Sequence, residues 1–133
     1  MQSVFDFLVK ANTYYLATVE GDQPRVRPFG TVNIFEGKLY ILGEKQKKVH
    51  MQIIANPKAE ICAYDGKRWV RVETTLVEDN RPQAQESMLA AYKQLRHMYA
   101  VGDGKMTVYY MKDSTATFRT FGEDDAEPEV VTF

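Results

Sequence analysis

Two short basic clusters are the residues of this chain best suited to chemistry: Arg25-Val26-Arg27-Pro28 and Lys45-Gln46-Lys47-Lys48. An arginine fork and a pair of lysines can hold an oxyanion, most plainly a phosphate, through charge-assisted hydrogen bonds. The lysines stand where a helix is expected to begin, and cations there are opposed by the helix dipole and by one another. A bound phosphate removes that conflict. It accepts backbone N–H groups from the helix start while Lys47 and Lys48 neutralise its charge, and Arg25 or Arg27 adds a planar donor. Taken without a ligand, the same residues are the solvated faces of a strand and a helix end. Trp69 lies between Arg68 and Arg71 at the start of a strand, where its ring either packs or is offered to a planar ligand or a partner subunit.

Other chemistries lack their residues. There is no Gly-x-Ser-x-Gly elbow, no Gly-x-x-x-x-Gly-Lys phosphate loop, no Gly-x-Gly-x-x-Gly fingerprint and no His-Glu-x-x-His pair. His50 and His97 fall in different helical segments without a partner at ligand spacing, so no metal site is expected and each reads as a surface or interface residue. The one cysteine, Cys62, has no second thiol to pair with, and its Ile61-Cys62-Ala63 context predicts a buried strand position.

The elements that must position these groups follow from periodicity and punctuation. A first helix is expected from Ser3, as cap, to Asn12, with Val4, Phe5, Leu8 and Val9 on one face. Tyr14 to Glu20 and Arg25 to Phe35 read as a hairpin turning at Gly21-Asp22-Gln23-Pro24, with Pro28 confining the second strand to an edge or a bulge. Glu36-Gly37 leads into a third strand, Lys38 to Leu42, and a short helix is expected from about Gln46 to Ala55, before Asn56-Pro57. Asp65-Gly66 joins strands Ala59 to Tyr64 and Arg68 to Glu78. Arg81-Pro82 opens a helix carrying Met88, Tyr92, Leu95 and Tyr99 on one stripe, and Gly102-Asp103-Gly104 ends it. Met106 to Met111 and Thr115 to Thr120 close the list as two strands around Lys112-Asp113-Ser114. Seven hairpin-grouped strands and three helices fit an antiparallel barrel flanked by helices better than a doubly wound parallel sheet.

Bulk properties agree with one globular domain: 133 residues, 44% hydrophobic, 12% aromatic and 26% charged. No apolar run reaches the roughly 20 residues that cross a bilayer, so a soluble, cytoplasmic protein is expected. The formal net charge of -1 hides an asymmetry, because 122–133 hold five of the 18 acids and none of the 17 Lys and Arg. A mildly basic body, 1–121, therefore carries an acidic tail, 122–133. The tail either projects into solvent or turns its apolar Val130, Val131 and Phe133 toward a partner. A chain this short has room for one core but little for a deep private site, which favours a ligand site shared between subunits.

The order of these motifs resembles the pyridoxamine 5′-phosphate oxidase-like FMN-binding split barrels, in particular their small single-domain, flavin-nucleotide-binding or nitroimidazole-resistance-related members. The pieces are Tyr15-Leu16-Ala17-Thr18-Val19, Arg25-Val26-Arg27-Pro28-Phe29-Gly30, Gly37-Lys38-Leu39-Tyr40, Lys47-Lys48 followed by Asn56-Pro57, and Trp69-Val70-Arg71-Val72. They span roughly residues 3 to 120. The resemblance implies FMN at the interface of a homodimer, its phosphate near Lys47, Lys48 and Arg25 or Arg27, and its ring along Arg27, Pro28, Phe29 and Gly30. Trp69 matches a position that reaches the flavin from the second subunit. Two departures stand out: Gln46 replaces a small hydroxyl residue, and Glu73-Thr74-Thr75 replaces a glycine expected at a bulge. The arginine-containing C-terminal signature of the true pyridoxamine phosphate oxidases is absent, so oxidation of vitamin B6 is not expected. What the resemblance implies is flavin-dependent redox chemistry on an unidentified small molecule, or else flavin binding without turnover or a cofactor-less barrel. A third reading, a single-stranded nucleic-acid platform of Arg25, Arg27, Arg68, Trp69 and Arg71, is disfavoured, and no nucleic-acid or membrane partner is expected.

Overall fold

The computed structural model describes residues 1–133 as one antiparallel sheet of eight strands with flanking helices. Helix α1 (Gln2–Ala11) buries Val4, Phe7 and Leu8. Its face is thus rotated from the expected one, because Phe7 goes inside and Val9 is left 50% exposed. Met1, not Ser3, occupies the cap position, and no side chain caps the helix.

Strands β1 (Tyr14–Glu20) and β2 (Gln23–Phe29) form a hairpin, paired from Tyr14 and Phe29 to Glu20 and Gln23, but the expected second strand, Arg25 to Phe35, is split: it leaves the ladder at 30–32, and Asn33–Phe35 is a separate strand at the other end of the sheet. The sheet runs β2, β1, β5 (Lys58–Tyr64), β6 (Arg68–Glu78), β7 (Met106–Thr120), β4 (Lys38–Glu44), β3 (Asn33–Phe35). With β2 at one end of this path and β3 at the other, the sheet curls without closing. That opening is the split of a split barrel. Pro24 and Pro28 both lie on β2, where an edge strand leaves their missing N–H groups without consequence.

The barrel interior is filled by alternate residues of the strands, among them Leu16, Leu39, Ile41, Ile61, Val70, Val72 and Tyr109, with α1 packed on the same core. A smaller cluster sets Met88 and Leu89 of α3 (Pro82–Ala91) against Tyr40, Leu42, Met106 and Val108.

Three departures from expectation have physical causes. The two strands expected on either side of Lys112-Asp113-Ser114 are one bent strand, β7. The bend is a bulge: the register with β6 slips between Glu73 and Thr75, Asp113 takes φ 51°, and the Thr74 and Ser114 hydroxyls bond at 2.8 Å. A bulge is therefore made here without the glycine. The long helix after Pro82 stops at Ala91, and a 3₁₀ turn, Lys93–His97, follows. The break falls at Tyr92, whose hydroxyl both donates to the Val32 carbonyl (3.0 Å) and accepts from the Val32 N–H (2.9 Å). Lastly, the acidic tail folds back on its own chain: β8 (Glu129–Thr132) pairs with β7, and Val131 and Phe133 pack on the core. Arg68 binds Glu129 at 3.0 Å. No helix is long and apolar enough to cross a membrane.

Candidate functional site

Two adjoining clefts open where the barrel is split, between β2 and the start of α2 (Lys48–Ala55). One, of about 270 Å³, has apolar walls from Pro28, Phe29, Leu42, Val49, Leu95 and Met98. The other, of about 560 Å³, is lined by Arg25, Arg27, Lys47, Lys48, Gln52 and Glu20. Arg27, Pro28, Lys47 and Val49 belong to both, so the two form one site with a flat apolar end and a cationic end.

The connector 30–32 that walls the apolar end is fixed from three sides. Tyr14 donates its hydroxyl hydrogen to the Thr31 carbonyl at 2.6 Å, Leu42 N–H donates to the Thr31 hydroxyl at 3.0 Å, and Tyr92 holds Val32. Burial drives the Tyr14 pKa well above its ordinary range, which keeps that phenol a donor. The break at Tyr92 has a consequence here, since it turns Leu95, Met98 and Tyr99 toward the cleft. Beside them the Tyr99 hydroxyl donates to the Glu44 carboxylate, and Lys105 lies 5.2 Å from the Tyr99 ring centre. Burial first, and then the Glu44 contact, push the Tyr99 pKa upward.

At the cationic end, Arg27 reaches inward. Its Nη1 donates to the Leu16 carbonyl (3.1 Å) and the Thr18 hydroxyl (2.7 Å), and its Nη2 to Gln52 Oε1 (2.7 Å). Thr18 also donates to Gln52 Oε1, at 2.6 Å. All three partners of the guanidinium are neutral oxygens, so it is held in place and its charge is left uncompensated. Desolvation, together with the Arg25 charge, lowers the Arg27 pKa, although an arginine stays protonated at neutral pH. Arg25 is paired with Glu20 at 2.9 Å, and this contact holds the Glu20 carboxyl below its usual pKa.

Helix α2 starts two residues later than expected, with Lys47 at the cap position and Lys48 as the first helical residue. No side chain caps it and its first turn has no acid. Lys47 and Lys48 line the same cleft, and neither enters an ion pair or a side-chain hydrogen bond within the chain. Such an end attracts an anion. Gln46 points elsewhere, donating to the Gly104 carbonyl at 3.2 Å.

Of the residues singled out from sequence, Arg25, Arg27, Pro28, Phe29, Gly30, Lys47 and Lys48 line this one composite cleft. Trp69 does not. It lines a separate apolar depression with Cys62, Tyr64 and Phe121, with Phe121 at 6.1 Å and the Arg71 guanidinium at 5.1 Å from its ring. Cys62 is exposed there, which overturns its expected burial, because it occupies the outward phase of β5. Tyr15 is 51% exposed for the same reason on β1. His97 is exposed, whereas half-buried His50 meets the Tyr109 hydroxyl at 2.6 Å. Sequence reasoning missed Thr18, Gln52, Glu44 and the connector's tyrosine anchors. Only tertiary proximity brings them in, and no local pattern marks it.

Comparison with known proteins places this geometry in context. Residues 1–120 match the family described as pyridoxamine 5′-phosphate oxidase. A NimC/NimA family protein from Clostridium acetobutylicum superposes with a TM-score of 0.93 at 40% identity, covering 100% of this chain and 93% of that one. A pyridoxamine 5′-phosphate oxidase-related, FMN-binding protein from Nostoc punctiforme shares the fold, with a TM-score of 0.67, 16% identity and coverage of 97% and 91%. So does a heme-binding protein from Mycobacterium smegmatis, with a TM-score of 0.69, 12% identity and coverage of 94% and 57%. No curated protein matches. The open eight-stranded barrel, the family match over nearly the whole chain and the close NimC/NimA relative agree: this chain belongs to the pyridoxamine 5′-phosphate oxidase-like family.

Proposed function

We propose that the chain binds FMN in the composite cleft and, as a homodimer, uses it for redox chemistry on a small molecule. The observation that carries this reading is the uncapped, doubly basic start of α2 facing Arg27 beside an apolar cleft. FMN has the matching form, a dianionic phosphate joined through a ribityl chain to a flat isoalloxazine ring. The donor set fits it: Lys47, Lys48 and the leading N–H groups of α2 take the phosphate, while Arg27, already aimed by Thr18 and Gln52, adds a fixed positive charge. Pro28, Phe29 and Gly30 border the ring, and Leu95 and Met98 shield it from water.

When bound, FMN supplies the hydride and electron transfer, so the protein needs no nucleophile of its own. The tasks left to the chain are to bind, to orient and to exclude water. A cytoplasmic setting suits the exposed Cys62, which such a compartment keeps reduced.

An FMN titration followed by flavin fluorescence tests the assignment. Lys48→Ala weakens binding about tenfold, the loss of one charge-assisted contact, whereas Lys10→Ala, whose ammonium sits by Asp65 at 3.4 Å, leaves it unchanged. Equal affinities would remove the phosphate assignment. Flavin reduction by a nicotinamide donor then separates an enzyme from a flavin carrier, since a carrier binds FMN without turning over.

A further inference from the structure

The cationic end of the composite cleft holds a single carboxylate, Glu20, at the end of β1, and that carboxylate is fastened from two sides. Arg25 donates to its Oε1 through both Nε, at 3.2 Å, and Nη2, at 2.9 Å. The other oxygen, Oε2, accepts from Gln52 Nε2 at 3.3 Å. Gln52 is buried, and its Oε1 is the atom that fixes Arg27 and Thr18. One amide thus holds a cation on one side and a carboxylate on the other. A half-exposed pair such as Glu20 with Arg25 adds little to stability. Its effect is on the charge offered to a ligand. The Arg25 fork, well suited to a second oxyanion, is already occupied, and of the four cations in the cleft only Arg27, Lys47 and Lys48 stay free of a carboxylate.

The order of residues along the cleft gives that pairing a direction. Phe29 and Leu95 line the apolar part alone, Arg27 and Lys47 line both parts, and Glu20 and Arg25 line the cationic part alone. A flavin with its ring at the apolar end and its phosphate among the free cations has Glu20 and Arg25 on the side of the phosphate away from the ring. In FMN the molecule ends there, with both negative charges on one phosphorus. In FAD the same phosphate is bound into a pyrophosphate and keeps one negative charge, and a second charged phosphate follows it. We infer that Glu20 is a specificity-determining residue: by occupying Arg25 it leaves the second phosphate of a flavin dinucleotide without a cation and restricts the site to the mononucleotide. The inference rests on the FMN reading above and adds which flavin the site refuses, and why.

Comparison of the two flavins tests it. FMN and FAD are titrated separately, by calorimetry, into the flavin-stripped wild type, Glu20→Gln, and the double variant Glu20→Gln with Arg25→Gln. The wild type is expected to prefer FMN. Glu20→Gln frees Arg25 and is expected to narrow that preference about tenfold through a gain in FAD affinity, the size of one charge-assisted contact. The double variant removes the freed guanidinium and is expected to return to the wild-type preference. A damaged fold lowers both affinities together, so a gain for FAD is a readout that a merely structural role of Glu20 does not produce. A wild type that takes up neither flavin would overturn the FMN reading and this inference with it. A wild type that binds FAD as tightly as FMN, or a Glu20→Gln variant with the wild-type preference, would overturn the role of Glu20 alone and leave FMN binding intact. A narrowed preference that persists in the double variant would overturn the role given to Arg25.

Discussion

Two charged regions of this barrel differ in how far the chain neutralises its own charge. Around Asp79 every group is matched: Tyr40 donates to its carboxylate at 2.8 Å, Arg81 grips it at 2.9 Å, and the same guanidinium reaches Glu36 at 2.9 Å. The cluster clamps the turn after β3 to the start of α3, and Asp79 is 8% exposed. At the start of α2, by contrast, Arg25, Arg27, Lys47 and Lys48 face one carboxylate, Glu20. The first cluster spends its charge on its own chain. The second holds its charge in position with neutral partners, Thr18 and Gln52, and leaves it available. Placement and neutralisation, more than the number of charges, separate a brace from a binding site.

Substitutions can break that contrast from either side. Asp79→Ala strands the buried Tyr40 hydroxyl and unpairs Arg81, and chemical denaturation should register a loss of about 3 kcal/mol with FMN affinity unchanged. Replacing Lys47 and Lys48 together by Ala does the reverse, lowering FMN affinity about 100-fold, with no loss of stability, as read by the same two measurements. Acid sharpens the comparison further. The Asp79 pKa is depressed to about 2, chiefly by its Arg81 hydrogen bonds, from an unfolded value near 3.8. Its stabilisation is therefore complete above pH 4 and fades as pH falls toward 2, on the order of 2 kcal/mol in all; a pH series of melting curves on wild type and Asp79→Asn should differ in that window. The smallest effect is the most diagnostic of idle charge. Lys48→Ala without FMN should raise stability by about 0.5 kcal/mol, because it removes a cation from the positive end of α2. If the apoprotein is instead destabilised, Lys48 has a structural partner.

The sequence made much of this site legible, for reasons that can be named. Pro28 marked β2 as an edge, and Lys47-Lys48 before a helical stripe marked a basic helix start, since both signals are local. The hairpins followed from Gly and Asp punctuation. What escaped was set by contacts across the fold. Nothing near Tyr92 signals a helix break, which arises from the Val32 backbone, 60 residues away. The Lys112-Asp113-Ser114 segment carries turn residues yet continues as a strand, because β6 and β8 hold it from both sides. Cys62 is apolar in its context but sits in the outward phase of β5, and the tail, expected to project into solvent or to turn toward a partner, pairs with β7 of its own chain.

The central claim is that the open charge at α2 exists to hold FMN. Isothermal titration of FMN into the purified, flavin-stripped chain tests it most directly: one site per chain is predicted, with affinity about 100-fold lower in the double Lys47 and Lys48 variant. A wild-type chain that purifies colourless from flavin-replete cells and takes up no added FMN would contradict it.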